Sequence, residues 1–299
     1  MPNEPRLIRS LCLVPPGGED VYEEQAARKA LDAGVDAIWF ELEDYVPPSK
    51  KGPVRKTVGD LVRRLGGEGH TVMFRVHHVR ESASEVAEDL SVILCQEAHC
   101  ILTPETEPGD ITRVSELLTQ FEHDKGMPVG HTLIFPLLES ALGIERAYGI
   151  ARESPRVAYM GWCVSRDGDP ATSIGFRWTP GCQETLYMRS RTLLAARAAG
   201  VRFPIGGGWY LPDDLEGLER FAIENRNLGY LGMACLSADP RFLAVVHKVF
   251  TPGEDEIARW QAIVAAEAEA NSRGTMLRPS RARHAQAQLE LLRHMKGAR

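Results

Sequence analysis

The sequence predicts an α/β protein, a (β/α)8 TIM barrel with a C-terminal helical extension, on three observations. Eight short β-rich runs recur along the chain, stretches with helical period separate them, and the alternation fills about 250 residues, the length of one such barrel. The runs are 10–15 (SLCLVP), 37–43 (AIWFELE), 71–77 (TVMFRVH), 100–104 (CILTP), 131–139 (HTLIFPLLE), 156–162 (RVAYMGW), 202–208 (RFPIGGG) and 231–237 (LGMACLS). Near-continuous apolar runs of this length suit parallel strands covered on both faces. Between them, YEEQAARKALDAG, SEVAEDLSVILCQE, ITRVSELLTQFEHD, SALGIERAYGIARE, QETLYMRSRTLLAARAAG and LEGLERFAIENRNLG place apolar residues every three or four positions. Several close on glycine, a common helix stop. A doubly wound open sheet is the main competitor, but its glycine fingerprint is missing from the first turn.

The barrel is expected over 7–250. Over 251–299, PGEDEIARWQAIVAAEAEANSRG opens like a helix, with Pro252 and Gly253 before an acidic first turn. The segment after Gly274 holds six Lys and Arg against the single acid Glu290, which suits a basic surface helix or a tail folded over an anionic substrate or a neighbouring subunit.

Composition narrows the function classes. With 35 Lys and Arg against 41 Asp and Glu, the formal charge of -6 argues against coating nucleic acid or binding an anionic membrane. No apolar stretch reaches the ~18 residues of a membrane-spanning helix, and the amino end lacks the pattern of an export signal. Six scattered cysteines, Cys12, Cys95, Cys100, Cys163, Cys182 and Cys235, form no zinc-ligand spacing and read as core residues of a reduced, cytoplasmic protein.

In a barrel the site gathers residues from the carboxyl ends of strands, so polar groups there carry the most weight. The second run ends in Glu41, Glu43 and Asp44; the third presents Arg75, His77 and His78; the fifth ends at Glu139; the next loops hold Arg166, Asp167 and Asp169, then Asp213 and Asp214. An acid-rich mouth suits Mg²⁺ or Mn²⁺, which take carboxylate and water oxygens, and Glu139 with Asp169 is the candidate ligand pair. Glu43 or Asp44 would hold water beside it. Arg75, inside an otherwise apolar strand, needs an acid or a bound anion within reach, and as a catalytic residue it would bind oxoacid or enolate oxygens. Asp44, His77 or a water held by the acids could be the base.

These same residues carry a resemblance to the HpcH/HpaI aldolase and citrate lyase β-subunit family, covering almost the whole chain. IRSLCLVPPG resembles that family's RS-x-LFVPG strand, FELEDYVPPSKKGPVR its DLEDAV segment, FRVHHV its VRVN strand and FPLLESALGI its LIET-x-x-G segment. PDDLEGLERFAIENRNLGYLG and VFTPGEDEIARWQAIVAA are similar to its D-x-EGL helix and its F-x-P-x-x-x-E-x-x-x-A segment. The resemblance implies a Mg²⁺- or Mn²⁺-dependent enzyme that cleaves or forms C–C bonds as a homotrimer or homohexamer. It makes Glu139 and Asp169 metal ligands, gives Arg75 the role of polarising the substrate, and puts Arg9, Lys51 and Arg55 near an acyl-CoA. Asp169 stands six residues before Gly175, the family's spacing, if an insertion follows Trp162; Asp167 is the fallback.

The chain also departs from the pattern. GMACLSADP has Met233 where the family has lysine and lacks its histidine and glutamine, GTMLRP lacks an aspartate expected in CoA-dependent lyases, and the histidine of pyruvate aldolases after the second strand is missing. The expectation is therefore a metal-dependent aldolase-type lyase acting on a small hydroxy-oxoacid or related carboxylate. An acyl-CoA lyase or thioesterase is the alternative, and a noncatalytic binding protein the third reading.

Overall fold

A computed structural model describes residues 3–16, 22, 24–161 and 166–297. Its strands are β1 (Ser10–Val14), β2 (Ala37–Glu41), β3 (Val72–Arg75), β4 (Cys100–Thr103), β5 (Leu133–Pro136), β6 (Ile205–Gly206) and β7 (Gly232–Cys235). They form one parallel sheet in the order β5-β4-β3-β2-β1-β7-β6. Each strand lies beside its sequence neighbour and β1 sits between β2 and β7, with no reversal of order of the kind that marks a doubly wound sheet.

Side-chain alternation shows that the sheet is curled. Leu11, Trp39, Met73, Leu102, Phe135 and Ile205 share one buried apolar cluster. The residues between them, such as Cys12, Phe40, Phe74, Ile101 and Ile134, belong to a second cluster with the helices. A period of two thus divides every strand between an enclosed inner face and a helix-covered outer face.

Of the eight expected strands, seven are regular among the described residues, and the described part of the run 156–162 is not. Its described part makes isolated bridges to β5, Ile134 with Val157 and Leu137 with Gly161. On its other side the Ile205 N–H donates to the Met160 carbonyl at 3.2 Å. The seventh run shrinks to two residues, because three successive glycines follow Ile205 and leave no side chains to pack on a longer strand.

The helices covering the sheet include α1 (Glu24–Asp32), α2 (Lys51–Gly67), α3 (Ala83–Ile93), α4 (Asp110–Asp124), α5 (Ala141–Glu145), α6 (Ala147–Arg152), α7 (Asp169–Ile174), α8 (Leu186–Ala199), α9 (Leu215–Leu228) and α10 (Pro240–Phe250). Caps written in the sequence set several boundaries: Ser82 accepts from the Glu85 N–H, Ser140 from Gly143 and Asp214 from Gly217. Asp214 is thereby a helix cap.

The extension forms α11 (Glu254–Ser272) and α12 (Pro279–Gly297). Leu291 and Met295 of α12 pack on the inner-face cluster, His294 meets the Phe203 ring at 5.7 Å, and Arg202 bonds to His294 at 2.5 Å. Arg202 and Phe203 precede β6, so α12 covers the amino ends of the strands. The described part of the tail, 274–297, does not fold over the acids at the opposite end.

Candidate active site

The period that buries Trp39 on the inner face puts Glu41 there too, at the last position of β2, directly paired in register with Arg75 of β3. Glu41 is held through its backbone: the buried Tyr22 hydroxyl accepts from its N–H at 2.9 Å and donates to its carbonyl. Arg75 lies amid four carboxylates. Its Nη1 is 2.9 Å from Glu41 Oε2 and 3.5 Å from Asp44 Oδ2; its Nη2 is 2.7 Å from Glu43 Oε2 and 3.5 Å from Glu139 Oε2. The Glu43 contact lacks hydrogen-bond alignment, and Glu43 Oε2 and Arg75 Nε are buried without a hydrogen bond.

Burial dominates the electrostatics. It pushes the Glu41 carboxyl up against the opposing pull of Arg75, and pushes Glu43 up to about 8, with Asp44, Glu41 and Glu139 adding repulsion. The surrounding carboxylates hold Arg75 protonated despite burial that opposes its charge.

Glu139 follows β5 by three residues and is buried. Its Oε2 accepts from the Glu105 N–H at 3.0 Å, and no hydrogen bond reaches its Oε1 from the described residues. Glu105, two residues beyond β4, is a strand-end acid that the sequence reading passed over, although the rule that selected the others applies to it. Burial, followed by the charges of Asp169 and Glu139, pushes its carboxyl up. Asp169 itself is exposed at the first position of α7, and Asp167 is exposed beside Arg166 at 3.7 Å.

Of these acids Glu41 and Glu139 border an apolar cavity of about 100 Å³, walled also by Arg75, Trp39, Phe135 and Leu236 and by Gly206 to Gly208. His77, Lys51 and Arg55 are not among its walls. They meet instead around Asp89 of α3, which is fully buried. Asp89 Oδ2 accepts from the His77 N–H at 2.9 Å and from Nδ1 at 2.6 Å, so Nε2 accepts from Lys51 Nζ at 2.5 Å. Arg55 is buried and bonds to Asp89 at 2.8 Å, to Glu88 at 2.6 Å and to Glu85. Asp89 was legible as an acid on the buried face Val86, Asp89, Leu90, Ile93. Arg9 precedes β1 at the opposite end of the sheet, paired with Asp36 at 2.7 Å and Thr251 at 2.9 Å.

Among the described residues, no group of three or more His, Cys, Asp and Glu is assembled as a metal-binding set. No described helix is long and apolar enough to cross a membrane. Cys12, Cys100, Cys182 and Cys235 are buried free thiols and Cys95 is half-buried; Cys163 lies outside the described residues.

A curled parallel β/α sheet with an arginine and several acids at the carboxyl ends of its strands defines the class: an α/β protein whose polar site is built from strand ends. Within that class, the chain belongs to the HpcH/HpaI aldolase/citrate lyase family, whose model matches residues 21–238. It is 31% identical over 277 residues to a citrate lyase subunit beta-like protein of Deinococcus radiodurans, covering 90% of this chain and 89% of that protein. To an L-malyl-CoA/beta-methylmalyl-CoA lyase of Rhodobacter capsulatus it is 26% identical over 299 residues, covering 91% and 88%. In fold it resembles CitE of Mycobacterium tuberculosis, solved in complex with magnesium, acetoacetate and coenzyme A, with TM-score 0.66 and 21% identity, covering 96% of this chain and 98% of that one.

Proposed function

We propose that this protein is a divalent-metal-dependent carbon–carbon lyase acting on a small hydroxy-oxoacid or related carboxylate. The observation that carries this reading is Arg75, buried at the wall of a small apolar cavity and within 3.5 Å of four acidic side chains. The donors gathered here are carboxyl oxygens, which suit a hard cation, and Glu139, with Oε1 unbonded among the described residues, and Asp169 would hold it. Bound there, Mg²⁺ or Mn²⁺ supplies Lewis-acid stabilisation of negative charge on substrate oxygens.

The chain's own residues divide the remaining work. Arg75 binds the substrate's carboxylate or developing enolate with its planar fork, in a cavity whose apolar walls exclude water and strengthen the contact. Asp44, with its side chain 58% exposed and within 3.5 Å of Arg75, accepts the hydroxyl proton as the C–C bond breaks. It suits that role better than His77, whose two ring nitrogens are engaged by Asp89 and Lys51. The same reading closes the sheet into an eight-stranded ring through 157–161, supported by its bridges to β5 and its bond to β6. It also includes self-association, supported by Tyr187 and Leu194, 70% and 67% exposed and seven residues apart on α8.

The second reading, an acyl-CoA substrate, is favoured by the names of the relatives. The ion pairs of Arg55 and the position of Arg9 favour the free acid. Incubation with panels of 2-oxoacids and hydroxyacyl-CoAs, each with and without Mg²⁺ or Mn²⁺, followed by mass spectrometry of products, tests both. Metal-dependent cleavage of a free acid is expected; cleavage confined to hydroxyacyl-CoAs promotes the second reading. No product, together with no metal effect on stability, favours a binding protein.

A further inference from the structure

We propose that Glu105 is a positioning residue: its peptide N–H, aimed by a left-handed backbone, sets the Glu139 carboxylate for the reaction. This rests on the reading of Glu139 given above. Glu105 has φ of +38°, a conformation common for glycine, tolerated by asparagine and aspartate, and rarely adopted by other residues. Such strain persists only where surrounding contacts over-determine it. They do so here. The Glu105 N–H donates to Glu139 Oε2 at 3.0 Å and its carbonyl accepts from Arg80 Nη2 at 3.1 Å. Arg80 is held in turn by Asp110 and by His78 Nε2 at 2.9 Å. One residue on, the Thr106 N–H donates to the Leu137 carbonyl at 2.9 Å, and the Leu137 N–H donates to the Thr103 carbonyl at 2.9 Å. The turn after β4 is thus laced to the segment that carries Glu139.

The consequence is an asymmetric carboxylate. Oε2 is tied to the Glu105 N–H and faces Arg75, so Oε1 remains the acceptor for substrate or cation. The effect runs through the backbone, which separates it from any role of the Glu105 side-chain charge.

Two variants exploit that difference. Asparagine tolerates positive φ, so Glu105→Asn keeps the N–H aimed while removing the charge; valine, β-branched, disfavours positive φ, so Glu105→Val re-aims it. Mn²⁺ affinity by isothermal titration is expected to stay within about threefold of wild type in Glu105→Asn and to fall about tenfold or more in Glu105→Val and Arg80→Ala. Thermal unfolding of each variant identifies a loss of fold, and Arg80→Ala carries the test if Glu105→Val does not fold. A metal-free readout accompanies it: the Glu105 amide proton should be downfield and slow to exchange in wild type, and lose both properties in Glu139→Ala. Unchanged affinity in Glu105→Val and Arg80→Ala, an equal loss in Glu105→Asn, or a fast-exchanging Glu105 amide in wild type overturns the proposal. If wild type binds no Mn²⁺, the lyase reading fails, and the amide exchange still decides the role of Glu105.

Discussion

A guanidinium whose side chain is only 9% exposed has little solvent to replace a lost partner, and Arg75 meets its need with four acids. Arg75→Lys keeps the charge but loses the planar fork. Turnover in the metal-dependent reaction is expected to fall about 100-fold with the fold intact, by steady-state kinetics and circular dichroism. Near-wild-type turnover and KM would reduce Arg75 to a structural ion-pair residue. Glu139→Ala and Asp169→Ala should each weaken Mn²⁺ binding in calorimetry, and a loss confined to Asp167→Ala would move the ligand by two positions.

His99 supplies a residue-scale test of stability. Its Nε2 lies 2.9 Å from the Tyr159 hydroxyl, which donates to the Arg6 carbonyl and accepts from the Arg6 N–H, so the neutral ring is the donor. Burial first, then the charges of Arg6 and His131, depress its pKa from 6.5 to about 3. Between those values the unfolded chain binds the proton and the folded chain does not, so this stabilisation is full above the unfolded pKa and is lost as pH falls. Urea unfolding should show His99 costing about 1.4 kcal/mol between pH 7.5 and 5.5, and His99→Phe should remove that part of the slope.

At the scale of elements, β1 and β7 approach so closely that Gly232 is obligatory. A Cβ there would stand 1.9 Å from the Ile8 carbonyl oxygen and 2.8 Å from Arg9 Cα, both backbone atoms of the facing segment. Gly232→Ala must therefore separate the strands, and a loss of about 3 kcal/mol or more in urea unfolding is expected. An unchanged unfolding midpoint would mean that β1 can shift. The helices were largely readable, since α4 and α9 fill runs with the expected apolar period and α11 opens after Gly253 on the expected acidic turn. The run 156–162 was not: its apolar pattern suits a strand, yet its described residues make only scattered pairing. Apolar patterning reports burial and says nothing of whether both ladders form.

Over the whole molecule, the two ends of the sheet carry different work. Carboxylates gather where the strands finish, while α12 seals the amino ends with Leu291 and Met295. Replacing both with Asp should lower stability by about 2–4 kcal/mol while leaving Mn²⁺ affinity unchanged. Loss of metal binding without loss of stability would place the tail at the site instead. On the outer surface, Leu194→Arg should shift the protein toward smaller species in analytical ultracentrifugation if α8 joins subunits, and an unchanged sedimentation coefficient would remove that face from the interface.

What the sequence determined by itself is the alternation of β and α elements, the order of strands that follows from it, and the acids and arginine at strand ends, because period and position along the chain are local properties. Glu41, Glu43, Asp44, Arg75 and Glu139 were all legible in this way. Only the tertiary structure decided which of these side chains meet. It brought Glu105 to Glu139 through a turn whose left-handed residue no pattern of Glu and Pro announces. It drew Arg55, Lys51 and His77 into a buried network around Asp89, and it put Arg9 at the far end of the sheet. Those outcomes depend on contacts between residues 12 to 242 apart in sequence, and an ion pair across such a distance is fixed by packing, not by local propensity.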